Sequence, residues 1–110
     1  MISWEDFENV ELRIGTIIEV SEFPEARKPA YKLKVDFGPE VGIRKSSAQI
    51  TDLYDSEKLL GKQVLAVTNF PPKQIGPFIS ECLVTGIQTD EGAITLVSPD
   101  HEVSNGQRLI

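Results

Sequence analysis

Apolar and polar residues alternate along residues 10–20 with a period of two. Val10, Leu12, Ile14, Thr16, Ile18 and Val20 fall on one side, and Glu11, Arg13, Gly15, Ile17 and Glu19 on the other. That period predicts a long half-buried strand, and Gly15 at its middle predicts a bend or bulge. The period returns in "YKLKVDFG", with Tyr31, Leu33, Val35 and Phe37 inward and Lys32, Lys34 and Asp36 outward. Between these strands "SEFPEARKPA" carries two prolines and reads as loop.

Further elements follow the same logic. "VGIRKSSAQI" (41–50) predicts a third strand, "QVLAVTNF" (63–70) a fourth and "FISECLVTGI" (78–87) a fifth, with a short sixth in "AITLVSP" (93–99). "TDLYDSEKLLGK" (51–62) predicts a helix or turn capped at Ser56 and stopped at Gly61. Ahead of the first strand, "SWEDF" predicts a short helix with Ser3 as N-cap and Asp6 closing a capping box. The order is β-β-β-helix-β-β. The expected fold class is therefore all-β: a five-stranded OB-fold barrel with a short helix between strands 3 and 4. At 110 residues one domain is expected, with 1–9 and 100–110 as terminal extensions.

Charge changes the picture more than composition does. The net charge of −6 argues against general nucleic-acid binding. Its distribution is uneven: residues 1–25 hold seven acids and one base, whereas residues 26–50 hold six bases and two acids. An acidic chain with a basic middle presents either one cationic face or an ordinary solvated strand surface. No apolar run approaches the roughly 20 residues that span a bilayer, and the acidic start is unlike a signal peptide. Cys82 is the single cysteine, which excludes an intrachain disulfide and a cysteine-built zinc site. A cytoplasmic protein without membrane insertion is expected.

Candidate chemistry is sparse. His101 is the only histidine and sits in a polar segment, Cys82 lies within a strand, and Ser46 and Ser47 have no histidine or G-x-S-x-G elbow to activate them, a lysine being the one base in reach. No catalytic residue, metal or cofactor is expected. Two features point instead to binding. Lys32, Lys34, Arg44, Lys45, Ser46 and Ser47 put cations and hydroxyls on strands two and three, the usual ligand face of an OB barrel. Phe23, Phe70, Ile75 and Phe78 lie in proline-rich loops, as barrel-end packing or as an apolar groove.

The stretches "LRIGTIIEVSEFPEARKPAYKLKVDFG", "IRKSSAQIT" and "LLGKQVLAVTNFPPKQIGPFISECLV" resemble the tRNA-binding-domain family, and within it the CsaA-type export chaperones. Matching positions include Ile14-Gly15, Pro24 with Ala26, Lys32-Leu33, Ser46-Ser47, Asn69, Pro72, Lys73 and Ser80. Phe23 stands where the wider family has a histidine, Arg27 where it has an acid, and Ala48 where it has a glycine. The resemblance implies a non-catalytic chaperone that holds unfolded or pre-export polypeptides. Phe23, Phe70, Ile75 and Phe78 would then contact apolar side chains. The alternative that it implies is tRNA as a partner, through Lys32, Lys34, Arg44, Lys45, Ser46, Ser47, Asn69 and Lys73. The chaperone subgroup is dimeric through its termini. Trp4, Phe7, Leu109 and Ile110, apolar groups at the chain ends, are the expected homodimer contacts.

Overall fold

The computed structural model describes all 110 residues. Its elements in chain order are α1 (Trp4–Glu8), β1 (Leu12–Glu22), β2 (Tyr31–Asp36), α2 (Gly38–Val41), β3 (Ile43–Ala48) and α3 (Ser56–Leu59). They continue with β4 (Gln63–Val67), β5 (Lys73–Ile75), β6 (Phe78–Ser80), β7 (Leu83–Val84), β8 (Gly86–Gln88) and β9 (Ile94–Leu96). Five strands form one antiparallel sheet in the order β3-β2-β1-β4-β7. It curls into a nearly closed barrel of the OB type, with α3 between β3 and β4.

β1 is shared by both halves of this sheet. Its first part pairs with β4, from Leu12↔Val67 to Thr16↔Gln63, and its second with β2, from Thr16↔Asp36 to Glu22↔Tyr31. The register slips between Ile17↔Val35 and Glu19↔Lys34, so Ile18 is the extra residue of a β-bulge. The bulge corrects the face assignment. An unbroken period of two groups Ile17 with the polar residues, yet Ile17 is fully buried and Ile18 is 44% exposed. Gly15 also faces inward. A Cβ there would lie 2.6 Å from Val35 and 2.7 Å from the Phe37 ring, so glycine lets the two strands and that ring close together.

The core is Ile17, Leu33, Val35, Phe37, Ile50, Leu59, Val64 and Ala66, with Cys82, Val84 and Leu96 at its margin. Leu33, Val35 and Phe37 are inward as their alternation predicts. At the seam between β3 and β7, Glu81 donates its N–H to the Lys45 carbonyl (2.7 Å). Its carboxylate accepts the Lys45 N–H (3.0 Å).

Several sequence expectations are corrected. The 51–62 helix shrinks to α3, and its N-cap is Asp55, which accepts from Lys58 N–H, rather than Ser56. The single fifth strand over 78–87 is three short pieces serving three partners: β6 with β5, β7 with β4 and β8 with β9. β5 is a strand where the proline-rich sequence predicts loop, because Pro71 and Pro72 precede it rather than interrupt its pairing with β6. The α1 capping box is present, with Ser3 accepting from Asp6 N–H and Asp6 from Ser3 N–H.

The C-terminal extension pairs with β1. Beyond the end of β2, the free edge of β1 receives Gly106 N–H at Ile14 C=O (2.7 Å) and gives Ile14 N–H to Gln107 C=O (2.9 Å). Leu109 N–H reaches Leu12 C=O (2.8 Å). Arg13 locks the tail by donating to Gly106 C=O and pairing with Glu11 at 2.7 Å. Hydrogen bonds from Arg13 and Thr68 hold the Glu11 carboxyl below the ordinary carboxylate range. Gly15→Ala is expected to cost about 1–3 kcal/mol through overpacking, read as a lower urea midpoint at unchanged slope. An unchanged midpoint would remove the close-approach account of Gly15.

Candidate functional site

The β2–β3 ladder sorts the predicted polar residues onto two faces. Leu33 faces Ser46 and Val35 faces Arg44, whereas Lys32 faces Ser47 and Lys34 faces Lys45. Cross-strand partners share a face, so Ser46 and Arg44 point the same way as core Leu33 and Val35. Ser46 is fully buried and gives its hydroxyl to Ser47 C=O. Arg44, near the barrel's end, donates to Thr68 C=O at 3.2 Å. Four residues, Lys32, Lys34, Lys45 and Ser47, remain on the outer face.

The three lysines of that face already have partners. Lys34 pairs with Glu19 at 3.5 Å. Lys32 Nζ lies 5.2 Å from the centre of the Phe23 ring and Lys45 Nζ 5.4 Å from that of Phe78. The two rings pack against each other with centroids 5.4 Å apart and planes tilted by 55°. Each cation–π contact contributes about 0.5–1 kcal/mol at such exposed positions. Lys32, Phe23, Phe78 and Lys45 therefore link the 23–30 loop to the β5–β6 hairpin across the outer face. Asn69 is likewise engaged: it accepts Glu11 N–H (2.9 Å) and donates to Asn9 C=O (2.8 Å), tying α1 to the end of β4.

Two clefts flank the β5–β6 hairpin. One, of about 680 Å³, lies between the hairpin and the 23–30 loop, lined by Phe23, Ala26, Ala30 and Ile75 with Ser47 and Gln49. Arg27, Lys28 and Lys73 supply its cations and Glu25 its one acid. The other, of about 640 Å³, is bounded by Phe70, Pro71, Pro72 and Leu83, with Cys82 and Ser80. Lys73 and Gln74 line both. The predicted apolar set is thus divided. Phe23 and Ile75 line the first cleft and Phe70, 54% exposed, lines the second. Phe78 packs on Phe23. Arg27, Lys28, Gln74 and Leu83 also line these clefts and are not marked as site residues by the sequence pattern. The available signal was Gly76-Pro77 between "KQI" and "FIS". Glycine first in a two-residue turn, here at φ +58°, marks a hairpin.

Cys82, at the edge of the second cleft, is buried and free. Burial pushes its thiol up to about 12, against a smaller opposing pull from a Ser46 hydrogen bond. The predicted terminal contacts are largely uncovered: Trp4 and Ile110 are exposed, Leu109 less so, and Phe7 is half-buried.

The family model described as "Putative tRNA binding domain" matches residues 12–108. The chain belongs to the tRNA-binding-domain family. Within it, this chain is 49% identical to the CsaA chaperone protein from Picrophilus torridus, with a TM-score of 0.94 and full coverage of both chains. The chaperone CsaA from Bacillus anthracis is 47% identical at a TM-score of 0.93, covering 100% of this chain and 99% of that one. Among longer proteins, the methionine–tRNA ligase of Bacteroides fragilis is 31% identical over 108 residues, 98% of this chain. The chain spans 16% of that ligase's length. These likenesses bear out the resemblance read from the sequence: the protein is a CsaA-like member of this family.

Raised to about 12, the Cys82 thiol stays neutral in the fold while an unfolded thiol ionises near its ordinary value. The stability it contributes is present below that value and is lost as pH rises toward 12. At pH 8 the folded protein is expected to resist a thiol-specific chromogenic reagent and to react fully in denaturant. Rapid reaction of the native state would contradict the buried, neutral assignment.

Proposed function

We propose that this protein is a CsaA-like chaperone that holds unfolded or pre-export polypeptides, acting as a cytoplasmic homodimer without catalysis. The observation that carries this reading is the state of the aromatic rings. A single-stranded nucleic acid binds by stacking bases on open aromatic faces. Phe23 is buried beneath Lys32 and Phe78, and Lys45 lies over Phe78. In the two clefts Phe70 is the one ring left open, a single platform beside Leu83, Ile75 and the proline corners, and this mainly aliphatic lining suits aliphatic and aromatic side chains of a polypeptide. The full-length likeness to CsaA chaperones supports the same reading. Exposed Ile2, Trp4, Leu109 and Ile110 support self-association through the termini, with Phe7 beside them.

tRNA is the second reading. The family description favours it, as do Arg27, Lys28 and Lys73, which line one cleft and have no acidic partner within 4 Å. Lys32, Lys34, Arg44, Lys45, Ser46, Ser47 and Asn69 support it less, because each is buried or already engaged, Ser47 excepted.

One titration separates the two. If phosphates met the three free cations, tRNA affinity would fall with salt at a log–log slope of about −2 to −3. Polypeptide holding predicts weak, nearly salt-independent tRNA binding. It also predicts that Phe70→Ala cuts suppression of client aggregation at an unchanged melting midpoint. A steep salt slope with intact Phe70→Ala activity would reverse the assignment. For the dimer, Trp4→Ala combined with removal of Leu109 and Ile110 is expected to shift sedimentation equilibrium from dimer to monomer. A wild-type protein that sediments as a monomer sinks that part of the proposal.

A further inference from the structure

The β5–β6 ribbon is a two-stranded sheet, and nothing pairs with the far edge of β5. Ile75 and Phe78 flank the two-residue turn Gly76–Pro77, so they form a hydrogen-bonded pair and Gln74↔Ile79 the non-bonded pair of the ladder. Gln74 therefore turns its N–H and C=O outward, away from β6. By the same alternation the Pro72 carbonyl points to that edge, and neither residue's main chain bonds elsewhere outside the ladder. Lys73 and Gln74 are exposed. The two clefts lie toward opposite ends of this edge. One reaches from Phe70 to Gln74 at the base of the hairpin, the other from Lys73 to Gly76 at its tip, and they meet at Lys73 and Gln74.

We infer that a client polypeptide adds to the outer edge of β5 as a third strand, placing one apolar side chain in each cleft. The inference rests on the polypeptide-holding reading. Residues on one face of a strand repeat every second position at about 3.4 Å per residue. Anchors four residues apart are thus about 14 Å apart along the added strand, one toward the base of the hairpin by Phe70 and Leu83 and one toward its tip by Ile75. Main-chain pairing with Gln74 and Pro72 is blind to sequence, and the two clefts ask only for apolar bulk. The Lys73 ammonium, which has no acidic partner in the chain, favours a carboxylate between the anchors. The occupant is therefore an extended segment with two apolar residues at i and i+4 and an acid between them.

The probe is a fluorescein-labelled heptapeptide, Thr-Leu-Thr-Glu-Thr-Leu-Thr, titrated with the full chain by anisotropy. Two backbone-methylated versions carry N-methyl groups at the even or at the odd positions. One set is expected to lose more than about tenfold in affinity, since it removes at least one bond and adds a clash at the edge, and the other to stay within about twofold. Gln74→Pro is tolerated at an exposed edge and is expected to lose about fivefold at an unchanged melting midpoint. Replacing the central Glu by Lys is expected to weaken binding about threefold or more. Equal affinity for both methylated sets and the parent overturns strand addition and leaves polypeptide holding intact. No binding of the parent, with client aggregation still suppressed, likewise overturns strand addition alone. Loss of both, with a single-stranded RNA dodecamer bound instead, overturns the two readings together.

Discussion

Lys45 is where the barrel closes, and it closes on a side chain. A regular β3–β7 ladder would present a main-chain carbonyl to the Lys45 N–H; here the Glu81 carboxylate takes that place. Glu81 returns its own N–H to the Lys45 carbonyl, and the Cys82 thiol approaches the same oxygen at 3.7 Å. One residue thus satisfies both edge groups and ends the pairing. On the N-terminal side of Glu81 the chain pairs within itself as the β5–β6 hairpin, which packs on β3 without joining its ladder.

That closure also fixes the aromatic arrangement. With Lys45 pinned through its main chain, its ammonium reaches over Phe78, and Phe78 in turn rests on Phe23 from the β1–β2 loop. Lys32, opposite Ser47 in the ladder, covers Phe23. Two lysines that charge counting assigns to anion binding are thereby spent on packing. The cleft cations with neither a ring nor an acid as partner, Arg27, Lys28 and Lys73, sit on the loop and hairpin that this stack draws together. In an OB barrel, affinity for phosphate or polypeptide depends on such details more than on the fold.

Legibility varied by element for identifiable reasons. β2 was read correctly because both its neighbours are strands and its face never changes: Leu33, Val35 and Phe37 are buried as their spacing requires. β1 was read as a strand but with Ile17 on the wrong side, since the Ile18 bulge resets the phase and a period of two carries no mark of an inserted residue. The 78–87 run looked like one strand because its composition is uniformly β-favouring, whereas it serves β5, β4 and β9 in turn. β5 was hidden by Pro71-Pro72. Those prolines precede a peripheral strand and so do not forbid it.

The sequence by itself determined the all-β class, the barrel order, the capped first helix and the family. These rest on local period, turn residues and motif order, which are properties of neighbouring positions. Tertiary structure alone decided which candidate site residues reach solvent. Whether Ser46 lies inside the barrel, whether Arg44 is held by Thr68, and whether Lys32 and Lys45 are free depends on partners far away in the chain. Strand pairing sets those partners, and a bulge or a one-residue clasp changes them without altering composition. The free edge of β5 belongs to the same class: hydrogen-bond parity along a ladder exists only once the strands have met.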